Sequence, residues 1–307
     1  MSYHTTNSLI NLIKLKAMIP ETQNTITESD FLYFLNEELS LSIVPLVMQF
    51  HEDYFLTTEI IPLVNNTLRY SIPSRAIGSK LNDLCFSPGD NTFQEMTRIT
   101  VADLVDYGTN VRAFYLESGE VCLPPFSPLV NSNGSLKMSY YIRPNTLVAE
   151  TNACIITGID TINNIISVDS APTIFTTAAT YDITSSNAPF RLVGKDLVVT
   201  QVPSSTSLQF TLSSLPTNIQ IGDVISISGY TTIPQVPSEL HALLAQRVTM
   251  RCLEALGDTQ GLQNATAKLQ DMEQKISYIL DNRVESAPIK IAPKNTLLRR
   301  KNYNYRR

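Results

Sequence analysis

Apolar positions follow a helical period at both ends of this chain and a strand period between them. In "NSLINLIKLKAMI" Leu9, Ile10, Ile13 and Ala17 share one stripe, and Pro20 closes a short amphipathic helix. Thr27 is placed to cap a second helix through "TESDFLYFLNEELSLSIVPLVMQFHEDYF", with Glu28 and Asp30 in the first turn, where the helix dipole favours carboxylates. Pro45 lacks the amide hydrogen that a helix interior uses, so the pattern predicts a break or kink and two helical pieces.

The period then shortens. "LRYSIPSRAIGSK" and "LNDLCFSPGDNTFQEMTRI" read as extended segments, the second folding about "PGDN". Thr100 and Asp103 have the spacing of a capped short helix running to Tyr107. "AFYLESGEVCL" reads as a hairpin with Ser118-Gly119 at its tip, and "LKMSYYIRP" as a half-buried strand turning Leu136, Met138, Tyr140 and Ile142 to one side. From Thr146 to Ile233 the composition shifts to Thr, Ser, Ile, Val and Asn. The runs "NACIITGID", "NNIISVD", "KDLVVTQV", "SLQFTL" and "DVISISGY" predict a small all-β module, a sandwich or a barrel.

The helical period returns at "PQVPSELHALLAQRVTMRCLEALGD". Ser238 is the expected cap, Leu240, Leu243, Leu244, Val248 and Leu256 the buried stripe, and Gly257 the stop. Leu262, Ala265, Leu269, Met272, Ile276 and Ile279 follow at alternating spacings of three and four, the pattern of coiled-coil-like packing. The short link at Gly257 makes an antiparallel hairpin the natural arrangement, with pairing inside the chain or along a seam between copies both compatible with the pattern.

Composition narrows the function. The chain has 307 residues, 43% of them hydrophobic, enough to bury a substantial core. No apolar run approaches the length of a bilayer crossing and the N-terminus lacks a signal-like pattern, so the reading is a soluble, unexported protein. Cys85, Cys122, Cys154 and Cys252 are scattered singly among apolar neighbours, as buried free thiols are. "AIGSKLND" lacks the upstream glycine of a phosphate loop. His51, Glu52 and Asp53 in "FHEDYF" miss the spacing of a metal-binding helix and read as a solvated helix face. No nucleophile motif stands out, so no catalytic, cofactor or metal residue is nominated, and an enzyme is not the expectation.

Charge is lopsided. Seven of the 23 basic residues lie between Lys290 and Arg307, with no acid among them; the preceding 289 residues hold 16 bases against 28 acids, a net of −12. Such a block is either a solvated end or an arm that grips nucleic acid or an acidic protein surface, and "RRKNYNYRR" interleaves Tyr303 and Tyr305 with arginines suited to either.

Taken in order, "LIKLKAMIPETQNTITESDFLYFLNEELSLSIVPLVMQFHEDYF", "RYSIPSRAIGSKLNDLCF", "YYIRPNTLV", "GDVISISGYTTIPQVPSELHALLAQRVTMRCLEALGDTQGLQNATAKLQDMEQKISYILDNRVESAPIKI" and the basic end resemble the head-to-tail connector, or neck adaptor, proteins of tailed bacteriophages. The resemblance implies a structural virion protein forming a ring, usually dodecameric, at the head-tail interface. The ring docks on the portal protein, meets a downstream tail or nozzle protein, and passes genomic DNA through its lumen without sequence-specific binding. It implies assembly in the host cytoplasm and no membrane. Carried onto this chain, Leu240, Leu244, Val248, Leu262, Leu269, Met272 and Ile276 would belong to ring-forming helices. Ile289, Ile291, Leu297, Leu298, Arg299, Arg300, Tyr303, Tyr305 and Arg306 would belong to a portal-docking arm.

The fold class expected is α+β: a helical core with a C-terminal antiparallel helix hairpin, a mixed middle region, an inserted all-β module and an extended basic arm. The expected divisions are 1–60, 61–145, 146–233, 234–286 and 287–307. A tail-associated binding module, whose β-domain recognises a glycan or another tail protein, is the alternative. Its candidate aromatics are Phe175, Tyr181, Phe190, Phe210 and Tyr230.

Overall fold

The computed structural model describes residues 4–20, 25–89, 92–105, 112–125, 127–204 and 207–280. It is an α+β protein. Helix α1 (Thr6–Lys16) buries Leu9, Ile10 and Ile13, and Ala17 completes the stripe. Helix α2 (Glu28–Glu38) opens on a capping box in which Thr27 and Asp30 each accept from the other's backbone amide. As Pro45 led one to expect, the segment forms two helical pieces. A π-helical turn at Leu39–Ile43 leads into α3 (Val44–Phe50), with the Val44 amide reaching back to the Leu39 carbonyl, and Pro45 sits in the first turn of α3, where its missing donor costs little. Read as one helix, Glu28–Phe50 is long and apolar enough to cross a bilayer. Here its inward face, Phe31, Leu35, Leu39, Ile43 and Val47, lies in the protein core.

"FHEDYF" departs from the helical-face expectation. The α-helix ends at Phe50, His51 is buried at the turn, and Glu52–Phe55 forms a 3-10 helix in which Glu52 Oε1 accepts from Tyr141 Oη at 2.6 Å. That bond, with burial, pushes the Tyr141 hydroxyl up to about 12.

Two four-stranded sheets follow. Strands β1 (Leu56–Pro62), β2 (Arg69–Ser71), β3 (Ala76–Ser87), β4 (Gln94–Glu95), β5 (Thr97–Arg98), β6 (Ala113–Glu117), β7 (Glu120–Cys122) and β8 (Ser135–Ile142) assemble in the orders β1-β8-β3-β4 and β2-β7-β6-β5. Tyr70, Phe114, Val121, Leu136, Met138 and Tyr140 form their common core. The β6–β7 hairpin turns at Ser118-Gly119, both at positive φ. Strand β8 is more buried than its alternation implied. It is central between β1 and β3, and Ser139 and Tyr141 are covered on its second face. Thr100 and Asp103 make the capping contact, but on a 3-10 helix at Val101–Val105; Tyr107 lies outside the described residues.

Strand β9 (Thr146–Leu147) pairs in parallel with β16 (Tyr230–Thr231), and this two-stranded neck carries the insertion. Between them β10 (Ala153–Asp160), β11 (Ile165–Val168), β12 (Thr180–Thr184), β13 (Leu192–Gln201), β14 (Gln209–Leu212) and β15 (Val224–Ile227) close a barrel in the order β10-β11-β14-β13-β12-β15. Closure leaves no free strand edge.

Helix α4 (Ser238–Leu256) has Pro237, not Ser238, at its N-cap position: the proline's fixed φ of −49° turns the chain into the helix and makes Ser238 its first residue. Gly257, at φ 74°, closes it, and α5 (Thr259–Ile279) runs back along it. Gln246 Nε2 donates to the Ala265 carbonyl at 3.2 Å, and Arg247 pairs with Glu273. One apolar cluster unites α1, α2, α3, α4 and α5, so the two ends of the described chain form a single helical unit. The Thr6 amide donates to the Thr232 carbonyl at 2.8 Å, tying the first helix to the exit of the barrel.

Candidate assembly site

Glu38 anchors the helical unit. It is buried, its Oε1 accepts from Arg251 Nε at 2.8 Å, and its Oε2 accepts from Ser42 Oγ at 2.8 Å and lies 3.5 Å from Arg247 Nη1. Burial raises the affinity of this carboxyl for a proton, but Arg251, Ser42 and Arg247 outweigh it and hold the group below the usual carboxylate range. Arg247 also reaches Glu273, so one acid on α2 and one on α5 are joined through α4.

A second polar network joins the barrel to the body. Asp182, on β12, is wholly buried. Its Oδ2 accepts from Asn145 Nδ2 at 2.7 Å and from the Gly229 amide at 2.9 Å, and its Oδ1 from the Asp196 amide at 2.9 Å. Arg75, from the loop before β3, brings Nη1 to 2.7 Å of Asp182 Oδ2 and donates through Nη2 to Ser228 Oγ at 2.5 Å. Nearby Lys195 Nζ lies 2.6 Å from Glu59 Oε2 on β1 and donates to Tyr140 Oη at 3.0 Å. A cleft of about 410 Å³ lies beside this junction, lined by Tyr54, Leu56, Pro189, Arg191 and Lys195 among others. The barrel is therefore held to the sheets by buried charge as well as by its two-stranded neck.

The helical residues nominated from sequence are brought together, but inside the chain. Leu240, Leu244, Val248, Leu269 and Ile276 are buried in the common core, with Leu262 and Met272 packed against it. Their apolar faces meet α1, α2 and one another, so a seam between copies needs other residues. The nominated arm residues Ile289, Ile291, Leu297, Leu298, Arg299, Arg300, Tyr303, Tyr305 and Arg306 lie outside the described residues.

Of the barrel's candidate aromatics, Phe175, Tyr181, Phe190 and Phe210 are buried, and Tyr230, on the neck, is 43% exposed. Phe175, Tyr181 and Phe210 pack against one another edge-to-face or tilted, with centroids 5.0 to 5.5 Å apart, filling the barrel rather than presenting a sugar-stacking face. Cys122, Cys154 and Cys252 are buried and Cys85 is half-buried. Burial and Asp83 push the Cys85 thiol up to about 11, and burial pushes Cys252 up to about 12. Among the described residues no cluster of three or more His, Cys, Asp or Glu is placed to hold a metal ion.

No protein-family model matches the sequence, and a search of curated proteins finds no match. The junction network went unnominated in the sequence, although one signal was there. Asp182 sits between apolar residues in "TYDIT", within a stretch where charges are sparse, and a carboxylate in such a run needs a partner.

Proposed function

We propose that this chain is a non-enzymatic structural subunit of a ring at the neck of a tailed bacteriophage, docking on the portal and joining the DNA-filled head to the tail. The observation that carries this reading is the helical unit built from both ends of the described chain, a layer from which the barrel is inserted at a two-stranded neck and whose last helix, α5, precedes the basic end in sequence. Such a unit suits assembly, because its core is complete within one copy and its outer faces remain available. In this reading the α4–α5 hairpin is the scaffold of the ring body, the barrel is a peripheral module, and residues 287–307 are the docking arm. Seven bases and four aliphatic anchors suit an arm that binds another chain's acidic, apolar surface. The net charge of −12 on residues 1–289 suits a channel wall along which phosphates slide without sticking.

Co-purification with the portal protein of the same genome tests the arm. The full-length chain is expected to co-purify. A chain ending at Ser286 is expected to fold equally well, by circular dichroism, and fail to bind. Undiminished binding by the truncated chain would refute the docking role.

A further inference from the structure

Two faces of the helical unit carry exposed apolar side chains together with charge of opposite sign. The first lies where α1 ends against the hairpin. Leu15 is 76% and Met18 89% exposed there, beside a groove of about 390 Å³ whose lining includes Lys16, Gln246, Leu253, Ala265 and Lys268. Lys16 Nζ donates to the Ala242 carbonyl at 3.4 Å, and among the described residues neither lysine is ion-paired. Burial, and then the charge of Lys268, lowers the proton affinity of Lys16; the groove's one acid, Asp258, caps α5 through the Gly261 amide at 2.9 Å and is not ion-paired with either lysine.

The second face is the outside of α2. Asp30, Tyr33 and Glu37 follow at spacings of three and four, and Leu41 lies four further on. Tyr33 is 67% and Leu41 70% exposed. Thr27 holds Asp30 below the usual carboxylate range, so this face carries negative charge at neutral pH.

Helix α4 separates the two faces. Ala242, Gln246, Thr249 and Leu253 touch Lys16 or line the groove, whereas Arg247 and Arg251 reach Glu38 on α2. At about 100° per residue these rows are roughly 150° apart around α4. A contact that joins one of these faces to the other, on different flanks, is not isologous and is not generated by a two-fold axis. Joined one to the other, they repeat from copy to copy, and such a head-to-tail contact closes into a ring when its rotation allows.

We propose that successive copies join head to tail through these faces, the cationic groove with Leu15 and Met18 on one copy receiving Asp30, Tyr33, Glu37 and Leu41 of the next. This rests on the ring reading above and supplies the seam that the buried hairpin residues cannot. Paired in this way, the two lysines gain ion-pair partners, and four exposed apolar side chains leave water.

Sedimentation velocity tests it with two full-length variants, Leu15→Glu/Met18→Glu on the groove side and Tyr33→Lys/Leu41→Lys on α2. All four positions are at least 67% exposed, so the fold is expected to persist, with circular dichroism as the check. Each variant alone is expected to self-associate about ten-fold or more weakly than the wild type. Mixed in equal amounts, they are expected to form dimers of one copy of each, because one intact groove then meets one intact α2 face. Assembly of either variant as in the wild type would leave the ring standing and overturn these faces, and a mixture without dimers would overturn the pairing. A wild type that remains monomeric at high micromolar concentration would overturn both the pairing and the ring.

Discussion

Replacing Asp182 with alanine removes the centre of the junction between barrel and body. The amides of Asp196 and Gly229 lose their acceptor, Asn145 Nδ2 keeps only the Tyr230 carbonyl, Ser228 Oγ keeps only Asp196 as an acceptor, and Arg75 loses the nearer of its two carboxylates. Breaking a buried pair by removing one partner costs about 3–5 kcal/mol, and each donor left without an acceptor costs about 1–3 kcal/mol before any relaxation. Arg75 retains Asp196, which is 45% exposed and screened by solvent, so the lower part of the first range is expected, about 3 kcal/mol. Urea denaturation followed by far-ultraviolet circular dichroism measures the loss, and limited proteolysis shows whether cleavage moves to the neck at residues 146–152 and 228–233. In a double-mutant cycle the costs of Arg75→Ala and Asp182→Ala should fall short of adding, because the second change removes a charge that the first left unpaired. An Asp182→Ala cost below about 1 kcal/mol, or costs that add, would refute the view that this network holds the barrel in place.

Four further outcomes follow from the packing. His241 is wholly buried, and burial lowers its imidazole to about 4 against an ordinary 6.5. The unfolded chain therefore binds the extra proton first, and stability should fall as pH drops from about 6.5 toward 4; His241→Asn should flatten that part of a urea-midpoint profile. Gly134→Ala places a Cβ 2.3 Å from the Phe86 ring and 2.4 Å from the Ser87 carbonyl oxygen, and thermal melting should register a loss of about 1–3 kcal/mol. Thr27→Ala removes the cap of α2 and should cost about 1 kcal/mol in chemical denaturation. With Ellman's reagent at neutral pH the native protein should label at Cys85 slowly and at the buried Cys122, Cys154 and Cys252 only on unfolding; fast labelling of any buried thiol would contradict the packing described.

Local order was readable wherever one chemical rule dominates. The stripe on α1, the Thr27 cap, the Ser118-Gly119 turn and the Gly257 stop each follow from residues close in sequence, and each is found in the fold. The five β-runs of the inserted module are strands, and "TYDIT" is a sixth whose apolar run an acid interrupts; that acid is the one Arg75 neutralises from more than a hundred residues away. Pro45 opens the second of the two helical pieces expected from it, while the π-turn that joins them leaves no sign in the periodicity. The apolar repeat of α5 announced a partner without naming it, and the partner is α4 together with the N-terminal helices. The faces left for other copies are single exposed side chains on amphipathic helices, visible only once the inward residues are known.

Electron microscopy of the full-length protein with the portal protein of its own genome bears most directly on the proposed role. The expected result is a closed ring capping the portal with the α4–α5 layer in its body, lost when the chain ends at Ser286. A protein that remains unassociated with the portal while binding DNA in a salt-sensitive manner would contradict the role and assign the basic end to nucleic acid instead.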